Sequence, residues 1–123
     1  MHCHRVLIEG GNIARVMQMI PGDKVLGHMP FYHVAGSVAT LIPAMQHGCA
    51  IVVMPQWEPG AALNLIADER INVMGGIPTH FIDLLQQTKH NPRDTTCLKS
   101  AWIGGAPVTP KIARSVKDTL HFD

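Results

Sequence analysis

The sequence predicts an α/β fold: a parallel sheet of about four strands flanked by helices in three layers. Short apolar runs alternate with longer amphipathic stretches along the whole chain. The runs are too short for helices, and the stretches between them carry apolar residues at helical spacing. Clusters of glycine and proline mark each change of period. Strands that alternate with helices pair in parallel, because each helix returns the chain to the starting edge of the sheet.

A helix is expected over residues 5–20, with Ile13, Val16, Met17 and Ile20 on one face. Gly10-Gly11 weakens it, and Pro21-Gly22-Asp23 ends it. Residues 25–29 read as a strand closed by Pro30. Residues 34–46 read as a helix leading to Gly48 in the usual C-terminal glycine position, with Pro43 expected to kink or stop it early. The continuous apolar run over residues 50–54 reads as a strand buried on both faces. A helix over residues 59–69 opens on Pro59, followed by a short strand over 71–74. A helix over residues 78–87 carries Phe81, Leu84 and Leu85, and residues 91–96 form a polar loop. A fourth strand over 98–103 leads into the turn Gly104-Gly105-Ala106-Pro107. Thr109-Pro110 supplies the N-cap and first residue of a last helix ending near residue 120. The order is one helix and then four strand–helix units, with right-handed crossovers expected.

At 123 residues the chain is long enough for one compact core. It is 46% hydrophobic and 15% charged, a low charge that suits burial against more of its own polypeptide. The net charge of +1 gives no basic footprint for nucleic acid. No apolar run approaches the length of a membrane span, and the N-terminus lacks a signal-peptide pattern. Cys3, Cys49 and Cys97 are far apart and odd in number, which argues against a disulfide scaffold and for a reducing cytoplasm. His2-Cys3-His4 offers adjacent ligand types, but the eight histidines have no zinc spacing, so no metal site is expected.

Ligands of open parallel sheets bind beyond the carboxyl ends of the strands. Pro30-Phe31-Tyr32-His33-Val34-Ala35-Gly36, Gly75-Gly76-Ile77-Pro78-Thr79 and Gly104-Gly105-Ala106-Pro107 are all expected there. Each joins small residues, which admit a ligand to the backbone, with proline, which fixes the loop. A glycine–proline turn after a strand is ordinarily just a turn; such turns in successive units can share a pocket.

The Pro30–Gly36 segment resembles the proline–aromatic–aromatic–histidine motif of the adenylate-forming superfamily of acyl-CoA synthetases, aryl-CoA ligases and beetle luciferases. Gly48 to Pro55 resembles that family's small-residue turn and buried strand. Val73 to Thr79 resembles its valine–proline–threonine junction, Trp102 to Pro107 its serine–glycine–glycine–alanine–proline segment, and His4-Arg5 the threonine–histidine–arginine after its phosphate loop. The ordered set covers essentially the whole chain. The resemblance implies a single fragment, residues 1–123, of the large N-terminal AMP-binding domain of an acyl-CoA synthetase.

It further implies activation of a carboxylic acid by ATP with Mg²⁺ and transfer of the acyl group to CoA. His33 is the implied catalytic residue. An acid is already ionised near neutral pH, so the imidazole is expected to position and hydrogen-bond rather than abstract a proton. Val34, Ala35, Gly36, Gly76, Pro78 and Thr79 are implied to border the acyl pocket, and Gly104, Gly105, Ala106 and Pro107 the nucleotide. Ala35 replaces the larger residue of coumarate–CoA ligases, which leaves room for an alkyl chain, so a fatty or alkyl acid is expected. Gln56 stands where several CoA ligases carry a lysine, and Ile103 where serine is common. The family's phosphate loop, Mg²⁺-binding glutamate and small C-terminal domain have no counterpart in the chain, so the fragment alone is expected to be inactive. The expected partners are acid, ATP, CoA and the rest of the polypeptide, in the cytoplasm or peripheral to a membrane. A peptide-synthetase adenylation domain is an alternative, disfavoured by His33 where those domains show aspartate. A non-catalytic α/β module that binds nucleotides or acyl groups is the alternative of another class.

Overall fold

The computed structural model describes residues 3–121. His2 and the Cys3 side chain of the adjacent-ligand pattern lie outside the described residues. Strands β1 (Lys24–Gly27), β2 (Ala50–Val53), β3 (Val73–Gly76) and β4 (Ser100–Ile103) form one parallel sheet in the order β2-β1-β3-β4. Lys24 to Gly27 align with Ala50 to Val53, and Val73 to Gly76 with Ser100 to Ile103. The helices are α1 (Cys3–Val16), α2 (Val34–Gly36), α3 (Ile42–Gln46), α4 (Pro59–Asp68), α5 (Pro78–His90) and α6 (Pro110–Leu120), with a π-turn over Ser37–Leu41 joining α2 to α3.

Successive residues of the central strands enter opposite cores, as the pleat requires. Leu26 and Met74 pack with Ile66 of α4, Phe81 and Leu84 of α5, and Val116 and Leu120 of α6. Val25 and Val73 pack on the other face with Ala14 of α1, Met17 and Ala44 of α3. The sheet therefore has helices on both faces, giving the three layers expected of the sequence.

The helix starts follow local chemistry. Glu58 caps α4, its carboxylate accepting from Gly60 N–H at 3.0 Å and also from Ala61 N–H. Thr109 caps α6 by accepting from Ile112 N–H. Pro59, Pro78 and Pro110 occupy first-turn positions, where a missing N–H costs no hydrogen bond.

Several expectations need correction. Gly10 and Gly11 lie inside α1 without breaking it. A Cβ on Gly10 would come within 2.5 Å of Ile42 Cγ2, so the glycine permits close packing of α1 on α3. Pro43 does not stop its helix. It sits in the first turn of α3, just after the π-turn, where Ile42 N–H already bonds to Ser37 O five residues back. The β2 run is not buried on both faces. It is an edge strand, with Ala50 exposed and Val53 55% exposed, because an apolar run records a capacity for burial and not its fulfilment. β3 begins two residues later than expected and takes in Gly75 and Gly76.

The amino ends of three strands are fastened by Asn72, just before β3. Its Oδ1 accepts from Lys24 N–H at 2.8 Å and its Nδ2 donates to Cys97 O at 3.3 Å. Its own backbone N–H donates to Lys24 O, and its carbonyl accepts from Lys99 N–H. Beside it, Lys99 Nζ stands 2.6 Å from the buried Asp23 carboxylate, which also accepts from Ile20 N–H. Replacing Asn72 with Ala leaves the Lys24 N–H and Cys97 carbonyl without these side-chain partners. Asn72→Ala should lower unfolding free energy by about 1–3 kcal/mol in urea denaturation. A change within experimental error would mean that the side chain does not tie the strands together.

Candidate functional site

Because the strands are parallel, His28, Met54, Ile77 and Gly104 all follow strand carboxyl ends at one edge of the fold. Adjacent tips are joined by backbone bonds: Met54 N–H donates to Gly27 O at 3.1 Å and Gly104 N–H to Gly76 O at 3.0 Å. His33, which follows β1, is thus on the same end of the sheet as Gly104-Gly105, with β3 between their strands.

The Pro30–Gly36 segment folds back on itself. His33 N–H donates to Pro30 O, and a Cβ on Gly36 would lie 2.2 Å from that same oxygen. Gly36 is therefore required by a close backbone approach and is buried. His33 is exposed and caps α2 from an extended conformation. Its Nδ1 accepts from Ala35 N–H at 3.2 Å, while its carbonyl accepts both Ser37 N–H and Ser37 Oγ–H. An accepting Nδ1 carries no proton, so the ring's proton sits on Nε2. The side chain is both a helix cap and a hydrogen-bond donor. Ala35 is half-buried, and Val34 is 61% exposed.

The second segment differs from its expected form. Gly75 and Gly76 are strand residues, not loop residues, and neighbouring side chains explain both. A Cβ on Gly75 would lie 1.9 Å from the Trp102 ring. On Gly76 it would lie 2.9 Å from His80 Nδ1 and 3.4 Å from His28 Nε2. Pro78 is buried and Thr79 exposed at the start of α5. In the third segment, Gly105 takes φ +80°, a conformation that favours glycine, and a Cβ there would sit 3.2 Å from Ile77 Cγ2. The turns after β3 and β4 are thus in contact. Gly104 is half-buried, while Gly105, Ala106 and Pro107 are exposed.

At the tips of β1 and β2 a cavity of about 230 Å³ is lined by Gly27, His28, Met29, Pro30, Phe31, Tyr32, Val53, Met54 and Pro55. It takes in the first half of the aromatic–histidine motif and stops short of His33.

A cluster not anticipated from the sequence lies at this end. His28 Nε2 and His80 Nδ1 are 3.1 Å apart, and Trp57 stands against both rings with centroids 4.8 and 4.3 Å away. Trp57 Nε1–H donates to Asp83 Oδ2 at 3.0 Å. His28 is 7% exposed. Burial first, and then the charge on His80, pull its pKa down to about 4. Burial also lowers the pKa of His80, against the opposing field of Asp83. No local pattern signalled it, because His80 follows the end of β3, 52 residues beyond His28. Burial raises the Cys49 and Cys97 thiols, so neither is primed as a nucleophile. Among the described residues no three His, Cys, Asp or Glu side chains converge on a point where a metal could sit.

The sequence matches the family of AMP-binding enzymes over residues 1–122, and the chain belongs to that family. It is 32% identical over 94 residues to the mitochondrial medium-chain acyl-CoA ligase ACSF2 of Mus musculus, covering 76% of this chain and 15% of that protein. It is 24% identical over 117 residues to a feruloyl-CoA synthase of a Streptomyces species, covering 95% of this chain and 22% of that protein. Among solved structures, the N-terminal domain of FACL13 from Mycobacterium tuberculosis superposes with a TM-score of 0.81 at 21% identity, over 97% of this chain and 30% of that one. ATP-bound MatB from Rhodopseudomonas palustris superposes at 0.79 and 21% identity, over 96% and 23%. The chain spans about a fifth of the length of such curated relatives.

Buried His28 makes stability depend on pH. The unfolded state binds protons near the ordinary histidine value of 6.5, whereas folded His28 resists them until about 4. Its contribution is intact above the unfolded value, and stability declines as pH falls from 6.5 toward 4. The loss attributable to His28 approaches roughly 3 kcal/mol at the acid end. His28→Gln should flatten that part of the stability-versus-pH curve measured by denaturant titration. An equally steep acid limb in the variant would rule out His28 as its source.

Proposed function

We propose that this chain is a single internal piece of the N-terminal domain of an AMP-forming acyl-CoA synthetase. In that enzyme a carboxylate oxygen attacks the α-phosphorus of ATP, the bond to the β-phosphate breaks, and pyrophosphate leaves. The thiolate of CoA then attacks the acyl carbon and AMP departs. The observation that carries this reading is His33, exposed and with Nδ1 engaged by Ala35 N–H, at the same end of the sheet as the Gly104-Gly105 turn.

A donor suits this chemistry better than a base. The attacking acid is already an anion and needs orientation, and charge on the transferring phosphoryl group needs fixed dipoles. His33 is proposed to hold an oxygen of the acid or of the acyl-adenylate. Val34 and Ala35 border the acid on the β1 side, and Pro78 and Thr79 on the β3 side. Gly36 contributes by admitting the Pro30 carbonyl, and Gly76, at the end of β3, by leaving room for the His28 and His80 rings. Gly104, Gly105, Ala106 and Pro107 form a low wall against which a flat base can lie. The small Ala35 supports a fatty or alkyl acid. Mg²⁺, the triphosphate cradle and the principal CoA contacts are assigned to the rest of the polypeptide, and a cytoplasmic setting fits the unpaired cysteines.

Carboxylate-dependent ATP–pyrophosphate exchange by the full-length protein tests the reading. Exchange should appear with one or more alkyl acids, and its absence across a panel of fatty and aromatic acids would remove the ligase assignment. Within the active protein, His33→Ala should lower exchange about 100- to 1,000-fold, the scale of one lost transition-state donor. His33→Asn keeps an acceptor for Ala35 N–H but withdraws the outward donor. It should keep the melting temperature and still lose exchange. Full activity in His33→Asn would leave the residue only its capping role.

A further inference from the structure

The histidine–tryptophan cluster stands at the root of both walls of the proposed acid pocket. His28 precedes the Pro30–Gly36 turn by two residues, and His80 directly follows Pro78-Thr79. Their rings meet at 3.1 Å, and the missing side chain of Gly76 is what leaves them room. Trp57, from the connection between β2 and α4, lies against both rings. Its indole is fixed in turn by Asp83, one turn further along α5. One side-chain contact thus links three of the connections at the carboxyl end of the sheet.

An apolar contact at this place would tolerate sliding. A hydrogen bond between two rings, one donating and one accepting, fixes both distance and direction. Tilted contact with Trp57, at interplanar angles of 44° and 35°, restricts the remaining freedom of the rings. We propose that His28 and His80 are positioning residues whose mutual hydrogen bond sets the separation of the two walls of the acid pocket and so selects the width and length of the acyl chain admitted. The inference rests on the acyl-CoA synthetase reading and adds to it a pair of residues that never touches the reacting atoms.

The test uses the full-length enzyme and a series of straight-chain acids from butyrate to palmitate. His80→Met keeps side-chain volume and removes the hydrogen bond. It should raise KM for the best acid at least 10-fold and move the preferred chain length, while KM for ATP and kcat at saturating acid stay within twofold. His80→Asn returns a donor and acceptor near the position of Nδ1 and should recover most of that loss. A double replacement with His28→Leu should be no worse than His80→Met alone, since both remove one bond. Unchanged chain-length preference in a folded His80→Met enzyme would overturn the proposal and leave the ligase reading standing. An equal fall in kcat with every acid would also overturn it, because that reports general disruption. No acid-dependent exchange in the wild-type enzyme would remove both readings together.

Discussion

The two central strands impose the constraint on which the rest of this molecule depends. Val25 and Val73 point into one core and Leu26 and Met74 into the other, so β1 and β3 cannot shift by one residue without exchanging both cores. Asn72 fastens the amino ends of β1, β3 and the chain before β4. With that register fixed, the four carboxyl ends emerge together, and the turns after them acquire defined positions. The geometry of the carboxyl end of the sheet is a consequence of packing far from it.

Many of the small residues at that end serve this packing before they serve a ligand. Gly36 admits the Pro30 carbonyl, Gly75 the Trp102 ring and Gly76 the histidine pair. The turn after β4 is different: Gly105 uses its positive φ in an exposed turn beside Ile77. His33 likewise has a structural task and a spare capacity, since its capping bond uses Nδ1 and leaves Nε2 out of that bond. A ligand at this edge therefore meets a surface whose geometry is already settled by internal contacts, which is the preorganisation that positioning chemistry requires.

Much of this was legible in the sequence because it follows from period and punctuation. The alternation of apolar runs with helical stretches gave the sheet and its layers, and Pro59, Pro78 and Thr109-Pro110 marked helix starts within a residue or so. What was not legible depends on partners distant in the chain. The β2 run reads as buried, yet its place at the edge depends on strand order. Gly10 reads as weakening its helix and Pro43 as kinking or stopping its own, yet Ile42 packing and a π-turn accommodate them. The glycine pair 75–76 reads as a loop because no local pattern reveals Trp102 across the sheet. The motif segments could be placed at the carboxyl ends of the strands in advance, whereas the contact between His28 and His80 joins residues 52 positions apart.

The central claim is that the turns after β1 and β4 enclose one acyl-adenylate. A crystal structure of the full-length protein with a non-hydrolysable acyl-sulfamoyl adenosine addresses it directly. The account predicts His33 Nε2 within hydrogen-bond distance of the linking group, and the adenine plane against the backbone of Gly104 to Ala106. An analogue bound at the amino ends of the strands, or one that contacts the Gly104 turn while His33 stays in solvent, would contradict it.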